Sequence, residues 1–115
     1  MQIQVNTDDN IEGREALEVH VQSEISSGLS RFSEHITRVE VHLSDENAGK
    51  SGNADKRCLI EARPSGQQPV SVTNQAPSVE EALHGAVRKL KNLLETKFGQ
   101  LHDHKGAASI RDANL

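Results

Sequence analysis

Tryptophan and tyrosine are absent from the sequence, and phenylalanine occurs only at Phe32 and Phe98. An aromatic-filled interior is thereby excluded. Burial has to come from Leu, Ile, Val and Ala in a chain that is only 34% hydrophobic. With 115 residues, one domain with a modest core is expected, because small domains bury a limited fraction of their surface. One layer of helix against one sheet suffices. The single cysteine, Cys58, excludes an internal disulfide and has no partner thiol with which to build a zinc site; it reads as a reduced, structural thiol. No apolar run approaches the roughly 20 residues of a membrane-crossing helix. The opening "MQIQVNTDDN" lacks the basic and apolar regions of a secretory signal. A cytoplasmic address with no membrane partner is the expectation.

A basic excess is missing too. The formal net charge is -4, which argues against a generic phosphate binder, since such domains usually carry clustered Lys and Arg. The charge is also polarised. Residues 1–35 hold Asp8, Asp9, Glu12, Glu15, Glu18, Glu24 and Glu34 against Arg14 and Arg31, whereas the last helical segment holds Arg88, Lys89, Lys91 and Lys97 against Glu80, Glu81 and Glu95.

Periodicity supplies the elements. In "MQIQVN", Met1, Ile3 and Val5 alternate with polar residues, the period of a strand with one buried face. Leu17, Val21, Ile25, Leu29 and Phe32 recur at helical spacing and predict an amphipathic helix over about 12–32. Within it, Gly28 weakens the helix or permits close packing on the sheet. "ITRVEVHLS" places Val39, Val41 and Leu43 on one face; "KRCLIEARP" places Cys58, Ile60 and Ala62 inward; "PVSVTNQ" does the same with Val70 and Val72. These three strands predict an antiparallel meander. From Ser78, a capping box with Glu81 opens a helix whose stripe is Val79, Leu83, Ala86/Val87, Leu90 and Leu94, reaching towards Phe98 or Leu101. The domain is expected to span 1–101. The remaining "HDHKGAASIRDANL", 102–115, is polar and without period and reads as a frayed or disordered tail. The order β-α-β-β-β-α, with two amphipathic helices and strands polar on one side, predicts an α+β two-layer sandwich with both helices on one face of a four-stranded sheet.

Catalytic constellations are lacking. An enzyme needs a nucleophile beside a base, a carboxylate pair, a metal cluster or a phosphate-cradling loop, and none is visible. No cofactor, small-molecule substrate or metal is expected. Of the six histidines (His20, His35, His42, His84, His102 and His104), only "HDH" at 102–104 suggests a metal, and two His with an Asp in a tail chelate weakly. The stretch "LSDENAGKSGNADKRC" connects two strands through about twelve residues where about two to five are usual. It fails as a calcium loop, having Lys50 in its middle and no closing Glu. It also fails as a P-loop, since no spaced first Gly precedes "GKS" and no helix follows. It reads as a solvated connection, or as a loop that projects Lys50, Lys56 and Arg57 towards an anion. On the last helix, His84, Arg88, Lys91 and Glu95 share one outward face, flanked by Lys89 and Lys97. That face is either solvated or a ridge that contacts phosphates in place of counterions. Base stacking on aromatics is excluded, because both Phe fall on apolar faces, so recognition would work by shape and backbone charge.

The blocks "LSRFSEHITRVEVHLSDENAGKSGNADKRCLIEARPSG" and "EEALHGAVRKLKNLLETKFGQL", in this element order, resemble the ribosome hibernation-promoting factor and ribosome-associated inhibitor A family, in a short-form, acidic branch. The resemblance covers residues 1–101. It implies a fold like the double-stranded-RNA-binding domain. It also implies a non-enzymatic inhibitor of translation under stress or in stationary phase, seated on the small ribosomal subunit and its rRNA in the channel used by messenger and transfer RNA. Arg88, Lys89, Lys91 and Lys97 would then face RNA, supported by Lys50, Lys56, Arg57 and Arg31. The first helix is acidic where the best-known members are basic, and Asn92 and Glu95 stand where basic residues are common. Long-form relatives add a domain that pairs ribosomes, for which the tail is too short, so pairing of ribosomes by this chain alone is not expected; the chain itself is expected as a monomer or weak homodimer. A second reading keeps the fold but binds a basic protein through Glu15, Glu18 and Glu24.

Overall fold

The computed structural model describes residues 1–8, 11, 13–46 and 56–99 in full, and the helical backbone of 100–114. The long-loop reading, with Lys50, lies outside the described residues. The elements are β1 (Gln2–Thr7), α1 (Arg14–Gly28), a 3-10 helix (Ser30–His35), β2 (Ile36–Asp45), β3 (Lys56–Pro64), β4 (Val70–Ala76) and α2 (Val79–Asn114). The sheet order is β1-β2-β3-β4. β1 runs parallel to β2, as a strand-helix-strand connection allows, while β2, β3 and β4 form the antiparallel meander.

Side-chain alternation fixes the register. Val5 lies opposite Val41, Val41 opposite Ile60, and Ile60 opposite Val72, so one apolar row crosses all four strands. A slip of one residue would turn the whole row to the solvent side. Both helices cover that row. Val21 and Ile25 of α1, Leu29 and Phe32 just beyond it, and Ala82, Leu83, Ala86, Val87, Leu90 and Leu94 of α2 form one core with Val39, Val41, Leu43, Cys58, Ile60 and Ala62. The architecture is the expected α+β two-layer sandwich.

Three local features differ from the periodic reading. The helix predicted over 12–32 is divided: Gly13, at φ +67° in the left-handed region, precedes α1, and α1 ends at Gly28. Ser26, Ser27 and Gly28 are poor helix formers, and the chain tightens into the 3-10 turn while Leu29 and Phe32 stay buried. Gly28 does permit a close approach, but to the other helix and not to the sheet. A Cβ there would lie 2.9 Å from Val87 Cγ1. Finally, α2 continues as helical backbone past the expected boundary at Leu101 to Asn114. Helix formation needs no apolar period, and 102–114 has no proline and includes Lys105, Ala107, Ala108, Arg111 and Ala113, all good helix formers.

The start of α2 follows the predicted cap. The Glu81 backbone N–H donates to Ser78 Oγ at 3.1 Å, and the Ser78 hydroxyl donates to Glu81 Oε2 at 3.2 Å. Asn74 of β4 reinforces this turn by donating from Nδ2 to the carbonyl oxygens of Glu81 and Ala82, both at 3.3 Å. Gly85 makes room for that amide, since a Cβ there would lie 2.0 Å from Asn74 Nδ2.

Leu90 of α2 is fully buried in the core that the helices share with the sheet. Leu90→Ala should lower unfolding free energy by about 2–5 kcal/mol, measured by urea denaturation. Cys58 is enclosed in the same core, and burial pushes its thiol from an ordinary 9.0 up to about 12. The neutral thiol therefore favours the fold fully below pH 9 and loses that effect as the pH rises from 9 towards 12. Native protein should resist thiol reagents that label it at once after unfolding, and Cys58→Ala should flatten part of the alkaline loss of stability.

A candidate nucleic-acid interface on the second helix

Helical spacing puts His84, Arg88, Lys91 and Glu95 on one ridge of α2, exposed except for the half-buried Lys91, because residues three and four apart lie above one another. With Asn92 and the buried Val87 as floor, they line an open depression. α1 and the 3-10 helix approach α2 along this side. His20 and Glu24 meet Glu80 and His84, Gly28 meets Val87, and Arg31 meets Glu95. Rising numbers on one helix thus match rising numbers on the other, so the two helices run side by side in the same direction.

The far end of this seam is held by apolar and aromatic contacts. Phe32 stacks on Phe98 with ring centroids 5.6 Å apart and the rings inclined by 23°, and His35 lies against the same Phe98 ring. That stack holds the 3-10 helix against α2 and brings Arg31 to the ridge. Its guanidinium sits 5.3 Å above the Phe32 ring and donates to Glu95 Oε1 at 2.9 Å.

The cations assigned to RNA by resemblance do not form one surface. Arg88 and Lys91 lie together on the ridge, with no ion pair among the described residues. Arg31 joins them but is neutralised by Glu95. Lys89 turns to the sheet edge, where its Nζ donates to the carbonyl oxygen of Thr73 at 2.8 Å and so satisfies an edge group of β4. Lys97, seven residues after Leu90, lies on the side of the buried stripe and is half-buried. Lys56 pairs with Asp45 at 3.3 Å across the β2–β3 ladder. Arg57 alternates with the inward Cys58 and therefore stands on the sheet face that carries no helix. Of the acids considered for a basic partner, Glu15 is exposed and Glu18 half-buried on α1. Glu24 is engaged with the histidines.

That engagement is a feature the sequence reading missed. His20 and Glu24 on α1, with Glu80 and His84 on α2, converge at the N-terminal end of α2. Nε2 of His20 lies 3.0 Å from Glu80 Oε1 and 3.9 Å from Glu24 Oε1. Nε2 of His84 lies 3.1 Å from Glu80 Oε1 and 3.6 Å from Glu24 Oε1. The signal was present as two spacings of four, His20 to Glu24 and Glu80 to His84, but no sequence pattern says that the two helices bring them together.

The model of the family described as Sigma 54 modulation protein / S30EA ribosomal protein matches residues 3–102. The chain belongs to this family. The resemblance to hibernation factors carried by the blocks at 29–66 and 80–101 is thereby upheld. Among solved structures, this S30EA-family chain is similar to the N-terminal domain of Protein Y from Thermus thermophilus, with a TM-score of 0.66 and 23% identity over 84% of this chain and 98% of that one. It is also similar to a ribosomal subunit interface protein from Coxiella burnetii, with a TM-score of 0.61 and 12% identity over 86% of this chain and 99% of that one. At these identities the likeness carries the fold. No curated protein matches the chain.

The Arg31–Glu95 pair is exposed on both sides, at 67% and 43%, and such pairs contribute at most about 1 kcal/mol. Glu95→Gln should therefore leave stability within about 1 kcal/mol of wild type in thermal unfolding, while releasing Arg31 and raising the ridge charge by one.

Proposed function

We propose that this S30EA-family protein is a ribosome-associated inhibitor of translation that binds rRNA of the small subunit through the α2 ridge, as a hibernation factor of stress or stationary phase. The observation that carries the reading is the juxtaposition of Arg88 and Lys91. They are two cations three residues apart on one helix face, Arg88 exposed and Lys91 half-buried, without ion-pair partners among the described residues, in a chain whose family is that of S30EA ribosomal proteins. Arg31 stands beside them as a third cation, held by Glu95 until a phosphate competes for it. Two similar structures support the same reading, one of them named a ribosomal subunit interface protein.

The mode of action is occupancy, and no reaction is involved. Lysine and arginine that replace condensed counterions give affinity that falls steeply with salt, and a rigid helix ridge suits the shape and phosphate readout by which folded RNA is recognised. Lys89, Lys56 and Arg57 take no direct part in this ridge. Lys89 instead keeps β4 and α2 in register.

Co-sedimentation with small ribosomal subunits tests the reading. Wild type should pellet at low salt and be released at moderate salt. Arg88→Ala/Lys91→Ala should bind more weakly at every salt concentration, with the magnitude of the log–log salt slope reduced by about 2. Failure of wild type to pellet, or a double variant indistinguishable from it, would overturn the assignment.

A further inference from the structure

Independently of ribosome binding, we propose that His20, Glu24, Glu80 and His84 form a binding site for a first-row divalent ion of the zinc class, which clamps α1 to α2. His20, Glu24 and Glu80 offer ligand atoms that all lie within 4.8 Å of one another, and His84 reaches the same two carboxylates. Zinc binds imidazole nitrogen and carboxylate oxygen at about 2.0–2.1 Å, so neighbouring ligand atoms of a tetrahedral site lie about 3.4 Å apart. The four nitrogen-to-oxygen separations here are 3.0 and 3.9 Å around His20 Nε2, and 3.1 and 3.6 Å around His84 Nε2. They bracket that distance, and rotation of the His84 ring towards the His20, Glu24 and Glu80 atoms would bring in the fourth ligand.

Each helix offers one His and one Glu four residues apart, hence on one face, and the parallel packing of α1 on α2 turns the two pairs towards each other. Inward-facing Glu and His from adjacent helices are the usual means of building a metal centre between helices.

The chemistry agrees with the geometry. Two carboxylates balance the charge of a divalent ion, and two imidazoles favour a borderline metal over magnesium or calcium, which take oxygen donors almost entirely. Binding requires each Nε2 to present its lone pair, with the ring proton on Nδ1. All four side chains are one-third to one-half exposed, which leaves an open route for the ion. Once bound, the ion offsets Glu24 and Glu80 one helical turn from Arg88.

Calorimetric titration of the metal-free full chain with zinc chloride at pH 7.5 tests the site, with magnesium as the negative probe. One saturable zinc site is expected, with a zinc-dependent rise in unfolding temperature. His20→Ala/His84→Ala should weaken binding by at least about 100-fold, because even second-shell partners of metal ligands are worth about 10–100-fold. Glu24→Gln/Glu80→Gln, which keeps the side-chain shapes, should lose the thermal rise as well. His102→Ala/His104→Ala should bind as wild type does. In cobalt-substituted protein, a visible absorption spectrum of tetrahedral type is expected. Absence of a saturable site in wild type, undiminished binding in the His20/His84 variant, or loss confined to the His102/His104 variant would each overturn the proposal.

Discussion

Because no tryptophan or tyrosine fills space in this chain, its two layers have to come close, and small residues at the contacts let them do so. Ala62 on β3 and Ala82 and Ala86 on α2 are completely buried. Gly85 leaves room for the Asn74 amide, and Gly28 leaves room for Val87. Branched aliphatic side chains then close the remaining volume, as interior packing demands. The approach of α1 to α2 at Gly28 and Val87 sets the distance at which charged residues on the two helices meet. The character of the whole exposed seam depends on that distance.

Along that seam the charge is graded. At one end two histidines and two glutamates cluster across the helices; in the middle the exposed Arg88 and the half-buried Lys91 line a depression with Val87; at the other end Arg31 is neutralised by Glu95 beside the Phe32–Phe98 stack. An overall charge of -4 is thus compatible with a local cationic ridge, because screening in physiological salt confines a surface charge's influence to about 8 Å. Family membership and this ridge are the two observations on which the proposed occupancy of an RNA surface rests. Several cations that composition would count towards such a surface have structural duties instead. Lys89 satisfies a carbonyl at the sheet edge, and Lys56 pairs across the β2–β3 ladder.

Most of the fold was legible because burial imposes its period on the chain. The alternation of Val39, Val41 and Leu43, and of Cys58, Ile60 and Ala62, predicted strands with the observed inward faces, and the Ser78–Glu81 spacing predicted the start of α2. The division of the first helix was less legible: Leu29 and Phe32 keep a helical apolar spacing although the backbone has tightened into a 3-10 turn. Burial follows side-chain direction, which both helix types satisfy there. The end of α2 was missed for the opposite reason, since a helix without an apolar stripe leaves no periodic trace.

The candidate site was legible only in part. Sequence alone determined which residues share a face of one element: the ridge of His84, Arg88, Lys91 and Glu95, the buried stripe of α2 and the polar face of each strand. Those relations are set by 3.6- and 2-residue periods within a single backbone. Only the tertiary structure decided which faces meet. It brought Arg31 to Glu95, Lys89 to the Thr73 carbonyl, and His20 and Glu24 to Glu80 and His84, partners separated by some 60 residues in the chain in all but the Lys89 contact. Such pairings follow from how the two helices lie on the sheet and how closely they approach, a property of the packed layers that no local period encodes.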